Sequence, residues 1–183
     1  MEFKILFTGH MIDKQEREVP RFPPDKEISA RKKMLKCLKK IIKDNPSNSY
    51  IGIAGGANGG DILFHELCDE LGIKTKIYIA MPVEQFKENS VVFAGKNWEE
   101  RFDKLIGTRP PIINLIDEKD LINPWEQINI VMLNSALKGG PKNAAIIALW
   151  DKKKGDGRGG TYHIVNNKIT EEVKKYIIDI TKI

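Results

Sequence analysis

The chain has 183 residues, 41% hydrophobic and 30% charged, which excludes an intrinsically disordered segment and suits one folded domain over residues 1–183. Thirty Lys and Arg against 25 Asp and Glu leave a formal charge of +5, which suits anionic ligands. No apolar run reaches membrane-spanning length, so no membrane partner is expected.

In chain order, the first apolar run predicts a strand over residues 3–7, too short for the hydrophobic region of a signal peptide. A polar loop, residues 9–25, carries His10, Arg17 and Arg21. The periodicity then predicts a helix over 26–43, where Arg31-Lys-Lys-Met-Leu-Lys-Cys-Leu-Lys-Lys40 reads as a solvated face rather than a nucleic-acid patch. A strand over 50–54 runs into Gly55-Gly-Ala-Asn-Gly-Gly60 and a helix over 61–71. A strand over 76–80 follows, then Met81-Pro-Val-Glu-Gln-Phe86, read as a loop able to wall a pocket through Pro82 and Phe86. Further on come a helix over 98–105, a strand over 112–115 and a helix over 124–137 ended by Gly139-Gly-Pro141. The chain closes with a strand over 144–149, a glycine-rich loop over 151–160, a helix over 161–174 and a terminal strand over 176–180. This alternation predicts an α/β, three-layer, Rossmann-like domain, with a mostly parallel sheet and helices on both faces. Cys37 and Cys68 lie inside helical patterns without metal-ligand spacing. They read as free thiols in a reducing, cytoplasmic setting, and no metal or cofactor is called for.

Three strand ends should therefore share the carboxyl edge of the sheet, where open α/β folds take ligands. The first brings Thr8, Gly9, His10 and Arg21. The second brings Gly55, Gly56, Ala57, Asn58, Gly59 and Asp61. The third brings Asp151, then Arg158, Gly159, Gly160 and Thr161. Strand, glycine turn, helix is an order that cradles phosphate on backbone N–H groups, although neither turn is a Walker A loop or a dinucleotide fingerprint. Asp61 reads equally as a helix cap or as an acceptor for a ribose or base, and His65, one turn on, as its packing partner. Trp98, Trp125 and Trp150 read as structural.

The run Ala54–Asp61 with His65 resembles the Ser-Gly-x-Ala-x-Gly-Ile-Asp-x-x-x-His signature of Smf-type DNA-processing proteins and the Gly-Gly-Ala-x-Gly-Ala-Asp motif of small bacterial Rossmann-like proteins. Both belong to the SLOG superfamily, which includes the Lonely Guy phosphoribohydrolases and SLOG domains of bacterial signalling and conflict systems. Gly157-Arg-Gly-Gly-Thr161 is similar to that superfamily's second motif, Pro-Gly-Gly-x-Gly-Thr, and Asn129 with Met132 matches its Arg-Asn-x-x-Met segment. The resemblance spans roughly residues 3 to 165.

It implies that the chain binds a nucleotide or nucleotide-derived signal, ADP-ribose-like or cyclic, as a sensor or sequestering module. Two departures count against catalysis. The glutamate of Gly-Thr-x-x-Glu is replaced by Ile164, and the motif's arginine by Ile128. An N-glycosidase or nucleoside transferase would have to recruit Asp61, Glu66 or Asp151 instead, since cleaving a base–ribose bond needs a carboxylate or its equivalent. Single-stranded DNA binding ranks behind both, for want of an aromatic-interleaved basic stripe. Nothing in the sequence locates an interface for homo-oligomers.

Overall fold

A computed structural model of the chain describes residues 2–47, 49–113, 123–155 and 159–183. Six strands form one all-parallel sheet in the order β4-β3-β2-β1-β5-β6. They are β1 (Glu2–Gly9), β2 (Ser49–Ala54), β3 (Lys74–Ile79), β4 (Ile112–Ile113), β5 (Ala144–Trp150) and β6 (Lys174–Asp179). The helices are α1 (Glu27–Asp44), α2 (Gly60–Glu70), α3 (Val83–Ser90), α4 (Lys96–Thr108), α5 (Pro124–Leu137) and α6 (Thr161–Val165). The α/β Rossmann-like class expected from the alternation is the observed one.

Burial shows how the layers form. On β1, Phe3, Ile5 and Phe7 point to one face, where they meet the Ala30, Met34, Leu38 and Ile41 stripe of α1. The same face receives Ile62, Leu63, Phe64 and Leu67 of α2 and Trp98, Phe102 and Leu105 of α4. Leu6 points the other way, into a second core with Ile128, Met132, Leu133 and Ala136 of α5 and Ile164 of α6. Period-two alternation in the strand and near-period-four spacing in the helices are what permit this. All seven residues of β5 are buried, as a parallel strand covered on both faces should be.

The chain lays down β1 to β4 outward in one direction, then returns to place β5 on the other side of β1. Right-handed crossovers running in opposite directions must pass over opposite faces, so α1–α4 and α5–α6 separate. The carboxyl ends of β1 and β5, adjacent through the Gly9–Leu149 pairing, thus flank a topological switch point.

Several boundaries differ from expectation. The helix predicted over 161–174 stops at Val165, followed by a 3-10 turn at Lys168–Thr170. There the Asn167 side chain accepts the Ile169 N–H, and the Thr170 hydroxyl donates to the Asn167 carbonyl at 2.7 Å. Local side-chain hydrogen bonds of this kind compete with helix continuation. The last strand accordingly begins at Lys174 and ends at Asp179. The segment read as a loop after β3 is helix α3, with Pro82 as its N-cap and Glu84 in the first turn. Residues 114 and 115 of the fourth predicted strand lie outside the described residues. Among the described residues, no helix is long and apolar enough to cross a membrane.

Candidate functional site

A cavity of about 990 Å³ opens at the switch point. Its polar side comes from Thr8 at the end of β1, His10, Asp13, Arg17 and Arg21 after it, Asp61 on α2, and Gly159, Gly160 and Thr161 at the start of α6. Its apolar side comes from Tyr78 of β3 and Ala80 just after it, Phe86 of α3, Phe93, and Trp125, Ile128 and Met132 of α5. Phe86 stands between Phe102 and Trp125, at centroid distances of 6.0 and 5.9 Å. This mixture of an aromatic wall and few polar groups is typical of small-molecule sites.

The loop after β1 is held shut from inside. Asp13 Oδ2 accepts the N–H groups of Arg21 and Phe22, both at 2.8 Å, and the Asp13 N–H donates to the Phe22 carbonyl at 2.9 Å. Phe22 is buried in the core, so it anchors the loop and is not available to stack on a ligand. Arg21 pairs through Nε with Asp151 Oδ2 at 3.2 Å and donates to the Lys154 carbonyl at 2.9 Å. Arg17 donates to the Val19 carbonyl at 2.9 Å, with Asp13 Oδ1 at 3.5 Å.

His10 meets Asp151 across the strand ends. Burial lowers its pKa more than the adjacent Asp151 carboxylate raises it, which favours the neutral ring. The Asp151 N–H donates to Nε2 at 3.2 Å, placing the ring proton on Nδ1. The 3.2 Å approach of Nε2 to Asp151 Oδ1 becomes an ion pair only when the ring is protonated. Burial opposes ionisation of Asp151, yet the Lys153 N–H, His10 and Arg21 outweigh it and hold its pKa below the usual carboxylate value.

The first glycine turn is packed against that loop. At Gly59 φ is +77°, and a Cβ there would lie 2.7 Å from the Ile12 nitrogen. The Gly60 N–H donates to the His10 carbonyl at 3.1 Å. Asn58, buried, accepts the Ile12 N–H on Oδ1 at 2.9 Å and donates from Nδ2 to the Ser90 carbonyl at 2.8 Å. Its side chain is a clamp between the β1 loop and α3, and it does not face the cavity.

The cap of α2 is Gly59, not Asp61, whose carboxylate Oδ2 instead accepts the Ala57 N–H at 3.2 Å. Burial raises the Asp61 pKa to about 7 against the lowering effect of that bond. Nor is His65 the partner of Asp61. Its Nε2 lies 2.8 Å from the Gly55 carbonyl, which can only accept, so Nε2 carries the proton and Nδ1 accepts from the Thr75 hydroxyl at 2.8 Å. Burial lowers the His65 pKa to about 4, keeping the ring neutral.

The second turn is seated on α5. Gly159 has φ of +85°, and a Cβ there would lie 2.5 Å from the backbone of Trp125. Asn129 donates from Nδ2 to the Gly159 carbonyl. The Thr8 hydroxyl donates to that of Thr161 at 3.2 Å, joining the end of β1 to the start of α6.

Of the residues singled out from sequence, Thr8, Gly9, His10, Arg21, Gly55, Ala57, Asp61, Asn129, Gly159, Gly160 and Thr161 line the cavity. Gly56, Asn58, Gly59 and Pro82 are not among the lining residues, and Arg158 lies outside the described residues. Glu66 is elsewhere: Arg101 grips its two oxygens at 2.7 Å each and also donates to Glu27 at 2.8 Å, tying α1, α2 and α4 together. Trp125 and Trp150 pack in the cores and also contribute to the cavity lining. Asp13 carried no signal, because its partners are backbone groups eight and nine residues away. Among the described residues, no cluster of His, Cys, Asp or Glu could hold a metal ion. No protein-family model matches the chain, and no curated protein matches it.

Proposed function

We propose that the chain binds a nucleotide or nucleotide-derived small molecule in the switch-point cavity, as a SLOG-like sensor or sequestering module. The observation that carries this reading is the convergence of both glycine turns, a polar loop carrying Lys14, Arg17 and Arg21, and an aromatic wall on one cavity of about 990 Å³. That volume lies at the upper end of ordinary ligand pockets, enough for a mononucleotide and more. Phe86 and Trp125 offer faces for a base. Lys14, Arg17 and Arg21 offer positive charge, with the backbone at Gly160 and Thr161 open to an anion.

Calorimetry across a panel of mono- and dinucleotides, ADP-ribose and cyclic nucleotides tests it. At least one should bind saturably, and Gly160→Asp should abolish that binding without unfolding the protein. Gly160 suits the purpose because a Cβ there meets nothing within 4 Å and its φ is −79°. Gly59 does not, because any side chain there collides with the Ile12 backbone. Absence of heat and thermal shift across the whole panel defeats the reading.

A second reading, cleavage of a base–ribose bond, draws on one observation. Among the three carboxylates considered for that chemistry, Asp61 alone lines the cavity, and it titrates near neutrality. Chromatographic detection of free base from any nucleotide in the panel, lost in Asp61→Asn, would establish it.

A further inference from the structure

We propose, resting on the nucleotide reading, that Asp61 receives the hydrogen-bond-donating nucleoside end of the ligand. Despite its phosphate-loop appearance, the first glycine turn then takes no phosphate. Four amides of the turn and the helix start already have partners. The Ala57 N–H already donates to Asp61 Oδ2 at 3.2 Å, and the Asn58 N–H to the Ser90 carbonyl at 2.9 Å. The Gly60 N–H donates to the His10 carbonyl at 3.1 Å, and the Ile62 N–H to the Ala57 carbonyl at 3.3 Å. The place where a phosphate would sit is filled by the chain's own carboxyl. A Cβ on Gly55 would lie 2.5 Å from Asp61 Oδ2, so that glycine makes room for Asp61.

A second anion brought against this carboxyl in its ionised form would be repelled. A donor would be welcomed. Among the described residues the Ala57 N–H is the one hydrogen-bond partner of Asp61, and the carboxyl lines the cavity.

The charged and titratable groups around it agree. From the β1 loop the cavity receives His10, Asp13, Lys14, Glu16, Arg17 and Arg21, and from β3 Tyr78. Its own helix contributes His65, whose ring is turned to Gly55 and Thr75. The lining residues of α3 and α5 bring no charge: Phe86, Asn89 and Ser90 on the first, Trp125, Ile128, Asn129 and Met132 on the second. In the β1 loop Arg17 is paired with Asp13 and Arg21 with Asp151, so the preference is set by Asp61, beside which a donor is favoured over an anionic end. The donors are sugar hydroxyls or base N–H groups.

Proton linkage separates the alternatives, because a donor draws Asp61 into its ionised form and a phosphate draws it into its neutral form. The experiment is calorimetry of wild type and Asp61→Asn with AMP, GMP, CMP, UMP and ADP-ribose. It is run at pH 6, 7 and 8 in two phosphate-free buffers of different ionisation heat, with Asp61→Asn correcting for titration of the ligand itself. Binding to wild type should release about half a proton at pH 7 and weaken about tenfold from pH 8 to pH 6, as follows for a group titrating near 7. Asp61→Asn should lose that dependence and bind at least tenfold more weakly at pH 8, since its amide oxygen is needed by Ala57 and its NH2 would face the ligand's donor. A thermal melt confirms that the variant is folded, and Asp61→Ser serves as a second variant. A 2′,3′-dideoxynucleotide that no longer releases the proton assigns the donor to the sugar, and one that still does assigns it to the base. Proton uptake on binding, or a variant that matches wild type in affinity and pH profile, overturns the inference while leaving nucleotide binding intact. Failure of wild type to bind any of these ligands defeats the nucleotide reading and this inference with it.

Discussion

At the scale of single residues, Asp61 and His65 stand one helical turn apart and titrate in opposite senses. The Asp61 carboxyl is held at about 7 against 3.8 for an ordinary aspartate, so the folded state binds the extra proton between those values. Its contribution to stability is complete below pH 4 and is lost as the pH rises through 7. Asp61→Asn should therefore melt close to wild type at pH 4 and above it from pH 7 upward, with the gap opening between, as differential scanning calorimetry would record. His65 runs the other way, because its folded pKa of about 4 lies below the ordinary 6.5. The stability it contributes is present above pH 6.5 and drains away as the pH falls toward 4. His65→Ala should cost about 3 kcal/mol in urea unfolding at pH 7.5. It leaves the Gly55 carbonyl and Thr75 hydroxyl short of a partner and opens a hole in a filled core. A loss below 1 kcal/mol would mean the ring is not the strut for the turn that its two 2.8 Å contacts describe.

At the scale of elements, the two glycine turns look alike in sequence and are built differently. The first is fastened to the β1 loop at Gly59 and Gly60 and the second to α5 at Gly159, while Gly160 faces open space. Gly59→Ala and Gly159→Ala should each cost about 2 kcal/mol or more through positive φ and backbone collision, whereas Gly160→Ala should stay within about 0.5 kcal/mol of wild type. Equal costs at Gly59 and Gly160 in chemical denaturation would contradict this division.

The same contrast marks how far the sequence is readable. Short apolar runs located β1, β2 and β5, and helix 124–137 matches α5 at both ends because a Pro start and a Gly-Gly-Pro stop punctuate it. α3 escaped notice because its eight residues bury only Phe86 and Ser90, too few to write a period. The overlong last helix had apolar residues at helical spacing but also Asn166-Asn-Lys-Ile-Thr170, whose side chains hold their own turn. In the site, glycines announced both turns because no other residue type tolerates those approaches. The clamps at Asp13, Asn58 and Asp151 join residues 8, 9, 46 and 141 positions apart, which no local pattern encodes.

At the scale of the molecule, β1 and β5 are interior strands of the sheet and largely buried, while β4 and β6 are its edges. Central strands covered on both faces open only with global unfolding, so amides of residues 4–8 and 145–149 should exchange with deuterium most slowly. Amides of Ile112, Ile113 and the outer side of β6 should exchange fastest among the strands. The cavity stands at the end of the most stable strands, but its walls are loops and helix starts, so a ligand should add protection there and little elsewhere. Hydrogen exchange with and without a bound nucleotide should show slowing at residues 9–13, 55–61 and 159–161. The region of Asp69, Lys74 and Arg109 lies at the opposite ends of these strands and should be unchanged. Protection confined to that opposite end, or spread evenly over the sheet, would place the ligand somewhere other than the switch point. If slowing reaches residues 9–13 and 159–161 but not 55–61, the ligand meets the β1 loop and the second turn without Asp61, leaving the nucleotide reading in place and removing the assigned orientation.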